Sequence, residues 1–516
     1  MDIWKILERA ISLYPDKTAV VAGDQSFTYS QVGKRTTALA QFFQQNGVKA
    51  EDRIAVLEYN SNHYMESYYA AAGNGAILCP LNYRLSATEI AFILNDSGAK
   101  WLIVNSAFTP VIAEVLSQKH PLQGLLWIGD QPTLTTDLPI FRYEEVVNIS
   151  AEGFQSTRVE SDQTAHLYYT SGTTGKPKGV MLTHRNICLH ALGTIAELKL
   201  VDSDVWGHIA PMFHLADAWA IFAITWVGGR HVMVKNFDPE TVMETIEREK
   251  ITISNLIPTM LNLMVKHPKA DSYDYSSFRV ILSGGAPIAP ELVRTIMETF
   301  ACDYIQTYGM TETSPYLTLS ILKEHLQNLP PEKQMFYKVK TGRPFVAVDL
   351  KVVDPEGVTV APDDEQVGEI WVRGDTVTPG YWNRPEETKN AFREGWLCTG
   401  DLAVLDSEGY VNIVDRKKDM IVSGGENIYS IEVENVLYMH SKILEAAVFG
   451  VPDPKWGEAV TAVVVLKEGQ HISAADILDF CKKHLSSYKV PKSVSFLTEL
   501  PKTGSGKIYK KGLRDP

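Results

Sequence analysis

Short apolar runs rich in β-branched residues alternate with helix-period segments through the first three hundred residues. Runs of the first kind begin at Arg53, Trp101 and Arg279, whereas segments 31–45 and 239–250 repeat apolar residues at helical spacing. Continuous apolar strands that alternate with helices are typical of a parallel sheet with helices covering its faces. The sequence therefore predicts an α/β fold with a large N-terminal domain.

The pattern changes near Val346, where short strands alternate with Gly, Pro and Asp turns as far as Tyr381. This predicts a small β subdomain over about residues 340–415. A charged run, Asp415-Arg-Lys-Lys-Asp, then precedes another strand-like segment. A chain of 516 residues exceeds the usual size of one domain. We predict domains at residues 1–416 and 417–516.

The five cysteines are scattered and form no C-x-x-C pair, which excludes a disulfide scaffold and a zinc ribbon. No segment approaches the roughly 20 apolar residues that a membrane-spanning helix needs. The sequence thus predicts a cytoplasmic protein without an integral membrane segment. At the start of the chain, Ile3, Ile6, Leu7, Ala10 and Ile11 share one helical face. Two roles fit that face: it contacts a membrane surface peripherally, or it covers the core of the protein.

Charge is distributed unevenly along the chain. The formal net charge of -13 disfavours a general nucleic-acid-coating role. Residues 416–516 carry 15 basic and 12 acidic side chains, whereas residues 1–415 carry 34 and 50. A basic C-terminal region on an acidic body favours contact with a polyanion, and chance surface composition is the alternative.

The most informative motif runs from Tyr168 to Val180. Its glycines allow close backbone approach to an anion, its hydroxyls donate to phosphate oxygens, and its lysines add charge. A Walker A loop is excluded because Pro177 follows the Gly-Lys pair. On these residues alone, the alternative to a phosphate-binding loop is a flexible loop. The candidate phosphate ligands are Thr170, Ser171, Gly172, Thr173, Thr174, Gly175, Lys176 and Lys178.

This motif closely resembles the phosphate loop of the adenylate-forming superfamily, which contains acyl-CoA synthetases, peptide-synthetase adenylation domains and firefly luciferase. Further segments resemble the family's motifs in the family's order, and the resemblance covers about residues 10–514. Singly each could be a turn, a cap or a surface charge, but their common order makes coincidence negligible. These segments are 211–214, 283–287, 306–313, 399–401, 415–418, 423–425 and 501–507.

The resemblance implies a residue set for each part of the site. ATP and AMP binding would use the phosphate loop together with Gly284, Gly285, Ala286, Pro287, Gln306, Tyr308, Gly309, Met310, Thr311, Asp401, Ile413, Arg416 and Lys507. The catalytic residues would be Lys507, Glu312, Thr311 and His214, and Glu312 would hold Mg²⁺. Coenzyme A would contact Ser423, Gly424 and Gly425. Lys418 would be the hinge of a small mobile α+β C-terminal domain.

The resemblance also implies a two-step reaction that uses ATP, Mg²⁺ and coenzyme A. A carboxylic acid is converted to an acyl-adenylate with release of pyrophosphate, and a thiol then displaces AMP. Amino-acid-activating relatives carry an aspartate at the position of His214, so an acid without an α-amine is expected. The acyl pocket would include His214, Trp219 and Gly285. The apolar segment 215–226 fits either such a pocket or a core helix.

Similarity is nearest to fatty-acyl-CoA ligases, and aryl-acid ligases remain the alternative for the acid. The acceptor also has two alternatives. A stand-alone acyl-CoA synthetase is favoured by the basic C-terminal region, because coenzyme A carries several phosphates. An acyl-AMP ligase that loads a carrier protein is the other. A non-catalytic paralogue is disfavoured because no expected catalytic residue is missing, and a homodimer stays open. No nucleic-acid partner is expected.

Overall fold

A computed structural model describes residues 1–170, 177–286, 288–502 and 508–514. The chain divides into two compact units. The first contains Met1–Asp349 and Val372–Leu397, and the second contains Leu350–Trp371 and Cys398–Pro516. The boundary between residues 416 and 417 and the hinge at Lys418 remain predictions, and both positions lie within the second unit.

The strands up to residue 344 build two sheets. They are β1 Thr18–Ala22, β2 Gln25–Thr28, β3 Arg53–Leu57, β4 Ile77–Pro80, β5 Trp101–Asn105, β6 Gly124–Ile128, β7 Ile140–Arg142, β8 Thr164–Thr170, β9 Lys178–Thr183, β10 Val205–His208, β11 Arg230–Met233, β12 Ile253–Asn255, β13 Val280–Gly284, β14 Asp303–Gly309, β15 Tyr316–Leu319 and β16 Arg343–Pro344.

Helices connect most of these strands. They are α1 Ile3–Leu13, α2 Tyr29–Gln45, α3 Asn62–Gly73, α4 Ala87–Ser97, α5 Thr109–Leu116, α6 Tyr143–Val147, α7 His184–Leu198, α8 Leu215–Val227, α9 Pro239–Glu249, α10 Pro258–Val265, α11 Pro290–Phe300 and α12 Pro331–Lys338. Local signals explain their starts. The Asp238 side chain, for example, accepts the amide of Thr241 at 2.9 Å and caps α9, which begins with Pro239.

The seven-stranded sheet has the order β7-β6-β5-β3-β4-β8-β9, and its neighbours are parallel apart from β8 and β9. The nine-stranded sheet has the order β16-β15-β14-β13-β12-β10-β11-β1-β2, and it is parallel from β14 to β1. Crossover helices place the carboxyl ends of parallel strands along one edge of each sheet. The predicted parallel, helix-covered architecture is confirmed.

The apolar face of α1 is packed into the core of the first unit. Ile3, Trp4, Ile6, Leu7 and Ala10 are all buried. This burial favours the core-covering alternative for the amphipathic start of the chain. Within the described residues, no helix combines the length and the apolar character needed to cross a membrane.

Two small sheets form the rest of the chain. The first has the order β17-β18-β20-β19 with β21 beside β20, and the second has the order β23-β22-β25-β24 with β26 beside β25. The strands are β17 Val348–Val353, β18 Gly368–Gly374, β19 Phe392–Arg393, β20 Trp396–Leu405, β21 Val411–Arg416, β22 Ile421–Ser423, β23 Glu426–Ile428, β24 Ile443–Asp453, β25 Gly457–Leu466 and β26 Ser493–Phe496. The helices are α13 Pro385–Ala391, α14 Ser430–Tyr438, α15 Ala474–His484 and α16 Lys511–Arg514.

The second of these sheets is mostly antiparallel and packs its apolar side against two helices. Val433 and Leu437 of α14 join Ile477 of α15 and Val448 and Val460 of the sheet in one buried cluster. This part of the chain has the predicted α+β composition.

Candidate functional site

The phosphate-loop motif begins and ends on a strand pair. Strands β8 and β9 are antiparallel, and Thr170 lies opposite Lys178. The two described ends of the predicted loop are therefore neighbours. The predicted ligands Ser171, Gly172, Thr173, Thr174, Gly175 and Lys176 lie outside the described residues.

Lys178 is held between a carboxylate and an aromatic ring. Its Nζ lies 3.4 Å from Oε2 of Glu387 and 4.1 Å from the ring centroid of Tyr381. The side chain is only 16% exposed. A partly buried ammonium group at this position can attract an anion, because its charge is less screened by water than that of a surface lysine.

Tyr381 joins Lys178 to the predicted metal ligand. Its hydroxyl donates a 2.9 Å hydrogen bond to Oε1 of Glu312, and both residues are buried. Burial and the adjacent Glu312 carboxylate raise the pKa of Tyr381, so the hydroxyl keeps its proton. Sequence reasoning missed Tyr381 because its partner lies 69 positions away along the chain, and the Pro379-Gly380 turn before it carries no functional signal.

The donor set at Glu312 fits Mg²⁺. Mg²⁺ is commonly held by one or two carboxylates together with substrate phosphates and water. No group of three or more His, Cys, Asp or Glu side chains is placed to hold a metal ion in the described parts of the chain. A single buried carboxylate therefore suits a metal that arrives with a nucleotide better than a resident, fully protein-bound ion.

The predicted adenine loop lies at the carboxyl ends of two parallel strands. In the pairing of β13 with β14, Ser283 lies opposite Gln306 and Gly284 lies opposite Thr307. A Cβ on Gly284 would lie 2.3 Å from Oγ1 of Thr307, so only glycine fits there. Gly285 has φ +82°, which also favours glycine.

The two adenine motifs are joined by hydrogen bonding. The side-chain Nε2 of Gln306 donates to the carbonyl of Ala286 at 3.3 Å, and the backbone N–H of Gln306 donates to Oγ of Ser320 at 2.7 Å. The loop and the strand that the sequence assigned to adenine are therefore adjacent. Pro287 lies outside the described residues.

The 306–313 motif makes a tight turn after strand β14. Tyr308 lies opposite Thr318 of β15, and a Cβ on Gly309 would lie 1.8 Å from the carbonyl oxygen of Pro315. Met310 follows, and Thr311 begins the short 3₁₀ turn that carries Glu312. The turn fixes the predicted α-phosphate and metal ligands beside each other.

His214 lies at the start of helix α8, and Trp219 lies within it. His214 immediately precedes the helix, and its ring centroid lies 4.4 Å from that of Phe213. Trp219 is buried and packs on Tyr316 at 5.3 Å and on Trp206 at 4.8 Å between ring centroids. Helix α8 is a core helix, and through Tyr316, which pairs with Gly309, it also contacts the adenine motif.

In the second unit the predicted ribose ligands lie on paired strands. Asp401 of β20 lies opposite Arg416 of β21, and Oδ1 of Asp401 is 3.4 Å from Nε of Arg416. Ile413 of β21 lies opposite Ala403. Asp401 lies within a strand, and its amide donates to Oγ1 of Thr399 at 3.1 Å. The structure thus brings Asp401 and Arg416 together and places Ile413 on the same pair of strands.

The turn after β21 carries the predicted hinge. The amide of Asp419 donates to the carbonyl of Arg416 at 2.9 Å, and Lys418 is exposed within the turn. Lys507, the predicted catalytic lysine, lies outside the described residues.

The predicted coenzyme A loop is the turn of a hairpin. Ser423 of β22 pairs with Glu426 of β23, and Gly424 and Gly425 have φ of +63° and +85°. Both glycines occupy conformations that other residues rarely adopt.

A cavity of about 340 Å³ borders this hairpin turn. Trp456 and Tyr488, which are partly exposed, supply aromatic surface, and Lys492 supplies charge. The cavity is large enough for part of a nucleotide or of a pantetheine arm.

Two family models match this chain. Residues 7–382 match the model of the AMP-binding enzyme family, and residues 432–507 match that of the AMP-binding enzyme C-terminal domain. A feruloyl-CoA synthase of an Amycolatopsis species is 37% identical over 98% of this chain and 97% of its own. A long-chain-fatty-acid–CoA ligase of Thermus thermophilus is 34% identical over 100% and 95%.

Solved structures extend the likeness to the fold. The o-succinylbenzoate coenzyme A synthetase of Bacillus subtilis, in complex with ATP and a magnesium ion, superposes with a TM-score of 0.84. It is 30% identical in sequence, and the match covers 100% of both chains.

Proposed function

The chain belongs to the AMP-binding enzyme family, and on that premise we propose that it uses ATP to convert a carboxylic acid to an acyl-adenylate and then to a coenzyme A thioester. The observation that carries the proposal is the contact of Tyr381 with both Glu312 and Lys178. It brings the predicted metal ligand and the end of the predicted phosphate loop into one cluster, in which Glu312 and Tyr381 are buried and Lys178 is partly buried.

In the first step, a carboxylate oxygen bonds to the α-phosphorus of ATP, and the bond to the bridging oxygen of pyrophosphate breaks. Two anions must approach each other, so positioning and charge neutralisation dominate catalysis. Lys178 and the loop before it bind the outer phosphates, and Thr311 donates to the α-phosphate. Lys507 binds the carboxylate and α-phosphate oxygens together. His214 lines the pocket for the acyl group.

The nucleotide is oriented by two separate sets of residues. Gly284 and Gly285 let the base approach the backbone, and Tyr308 packs on it. Asp401 accepts the ribose hydroxyls and Arg416 contacts the ribose. Mg²⁺, when bound with the nucleotide, supplies positive charge to the phosphates, and Glu312 is the residue that would hold it. These assignments follow from the family resemblance and are supported by the placement described above.

In the second step, the thiol sulfur bonds to the acyl carbon and AMP leaves. We propose coenzyme A as the acceptor. The cavity beside Ser423 and Gly424 supports this choice, because Trp456 and Tyr488 offer stacking surface and Lys492 offers charge for a phosphate. A carrier protein is the alternative acceptor, and the experiment below distinguishes the two.

Two acid classes are consistent with helix α8. A fatty acid is the first, and it agrees with the name of the Thermus relative. An aryl acid is the second, and it agrees with the name of the feruloyl relative.

We place the protein in the cytoplasm because Cys79, Cys188, Cys302 and Cys481 are free and buried, as suits a reducing compartment. For the assembly state we propose a homodimer, which light scattering at several protein concentrations tests.

The test is pyrophosphate release measured over a panel of fatty, aryl and amino acids, with and without coenzyme A. We expect release with one non-amino acid class, AMP and a thioester only when coenzyme A is present, and a large loss in Glu312→Gln. Glu298→Gln, an exposed carboxylate on α11, is the matched control. If pyrophosphate release needs a carrier protein, that protein replaces coenzyme A as the proposed acceptor. No release with any acid would contradict the function.

A further inference from the structure

The segment 503–507, which contains Lys507, is flanked by residues that the structure holds firmly. Lys502 and Ile508 form an antiparallel bridge. Nζ of Lys502 lies 2.6 Å from Oε1 of Glu445 on β24. Lys502 is therefore held to β24, and Ile508 is held to Lys502.

Lys510, two residues beyond Ile508, reaches into a buried polar cluster. Its Nζ lies 2.8 Å from Oε1 of Glu434 and donates to Oγ of Ser430 at 2.7 Å. Oγ of Ser430 in turn donates to Oδ1 of Asp415 at 3.0 Å, and the Ser430 amide donates to the other Asp415 oxygen. Ser430 is 0% exposed and Asp415 is 1% exposed. An unbroken series of contacts thus links Lys510 to the first residue of the 415–418 motif.

A second link reaches the other end of the same turn. Nη2 of Arg514, on helix α16, lies 3.5 Å from Oδ1 of Asp419. The Asp419 amide closes the turn by donating to the carbonyl of Arg416. The residues that follow the lysine segment are therefore linked to the start of the predicted hinge turn 415–419 through Ser430, and they contact its end directly through Arg514.

We propose that Lys510 is a positioning residue: it ties the chain that follows the 503–507 segment to the hinge turn 415–419, and catalysis by Lys507 depends on this link. The inference rests on the proposed function, because the roles of Lys507 and Lys418 belong to it. Lys510 acts through these contacts and needs no contact with substrate. A change in the hinge turn is then transmitted to the catalytic lysine, and loosening the link misplaces that lysine. A misplacement of about 1 Å costs on the order of 10² in rate.

The first test compares three variants in ATP–pyrophosphate exchange and in thioester formation from supplied acyl-adenylate. Lys510→Met should lower the exchange rate by on the order of 10², with the KM for ATP unchanged and thioester formation spared. Lys510→Arg should restore exchange, because a guanidinium group can contact the same acceptors. Lys511→Met, which removes the charge of the exposed neighbour on α16, should match the wild type.

The second test asks whether Lys510 acts through Lys507. If it does, Lys510→Met should add nothing to the loss caused by Lys507→Ala, because both remove the same interaction. Burial raises the pKa of Glu434, and Lys510 opposes that rise, so Lys510→Met leaves an uncompensated carboxyl. The variant that combines Lys510→Met with Glu434→Gln removes this cost and should show the same selective loss of exchange.

The outcomes separate the inference from the proposed function. A wild type that exchanges pyrophosphate and a Lys510→Met variant that does so equally well would overturn the inference alone. Equal losses in both half-reactions, or losses that add to those of Lys507→Ala, would mean that Lys510 has only a structural role. Either result would also overturn the inference. A wild type without exchange for any acid would overturn the proposed function and this inference with it.

Discussion

The carboxylate of Asp401 lies 3.4 Å from Nε of Arg416, across two directly paired residues of the antiparallel strands β20 and β21. The Asp401 side chain is 14% exposed, whereas that of Arg416 is 45% exposed. Directly paired residues share one face of a sheet. The two predicted ribose ligands are therefore adjacent, and the second unit alone supplies both.

Asp401→Ala should weaken the binding of ATP and AMP by roughly tenfold or more, because a carboxylate that accepts ribose hydroxyls forms charge-assisted hydrogen bonds. Calorimetric titration with each nucleotide measures the effect. Asp349→Ala is the control, since Asp349 pairs with Arg373 in a similar cross-strand contact of 2.9 Å that is exposed. Unchanged nucleotide affinity in Asp401→Ala would mean that Asp401 only orders the local strand.

The regular elements were predictable because their signals are local. The apolar run that begins at Arg53 is strand β3, Arg53–Leu57, and the helix-period segment 239–250 is helix α9, Pro239–Glu249. Asp238 and Pro239 mark the start of that helix in the sequence itself. Likewise the glycine at 284 could be assigned from its motif, and the structure adds the reason, which is the close approach of Thr307.

Contacts between distant parts of the chain were not predictable in this way. Neither the hydrogen bond from Tyr381 to Glu312 nor the contact of Lys510 with Ser430 leaves a periodic or compositional trace. The second unit also combines residues 350–371 with residues 398–516, which are separated in the sequence. These features depend on how elements fold together, which no short window contains.

His63 provides a pH prediction for the first unit. Its Nε2 lies 3.0 Å from Oε1 of Glu144, and its Nδ1 lies 3.7 Å from Oε2 of Glu58. Burial alone would lower the pKa of His63, but contacts with Glu144 and Glu58 raise it to about 9. Because the folded pKa exceeds the unfolded value of about 6.5, this stabilisation is fully present below about pH 6.5 and is lost as the pH rises towards 9.

The free energy of unfolding should therefore fall by up to about 3 kcal/mol between pH 6.5 and pH 9 from this group. Urea unfolding at pH 6, 7.5 and 9 measures the fall, and His63→Gln should reduce it. His471→Gln, at an exposed position in the second unit, should leave the slope unchanged. An equal fall of the free energy of unfolding with pH in His63→Gln and in the wild type would contradict the role of His63.

Tyr381→Phe should raise the Mg²⁺ concentration needed for ATP binding by about 10- to 100-fold, because it removes the hydroxyl that orients Glu312. Titration of ATP by calorimetry at several Mg²⁺ concentrations measures the change without turnover. Tyr275→Phe is the control, since that hydroxyl donates to the carbonyl of Ala270 instead. An unaltered Mg²⁺ requirement in Tyr381→Phe would separate Tyr381 from the metal ligand.

Lys507→Ala should lower the rate of adenylation by on the order of 10²–10³, the usual cost of losing one charge contact in a preorganised transition state. Thioester formation from supplied acyl-adenylate should survive, since that step does not use the lysine. ATP–pyrophosphate exchange and thioester yield are measured on the same preparation. Near-normal exchange would remove Lys507 from the catalytic set, and Lys511→Ala serves as the charge-matched control.

Lys418→Pro should separate the two half-reactions. Proline fixes φ near about -65°, so a pivot at this position could not follow the dihedral change that rotates the C-terminal domain between the steps. Adenylation should survive if the fixed geometry keeps Lys507 in place, whereas thioester formation should fall steeply.

Lys418→Ala is the matched control for this variant, because it removes the charge and keeps backbone freedom. The alternative is that Lys418 is only an exposed charge in the turn before Asp419, whose amide donates to the carbonyl of Arg416 at 2.9 Å. Proline would then harm both steps equally or neither. Pyrophosphate release and thioester yield from one preparation distinguish the two cases. A proportional loss in both would rule out domain rotation about Lys418 and would leave the adenylation chemistry intact.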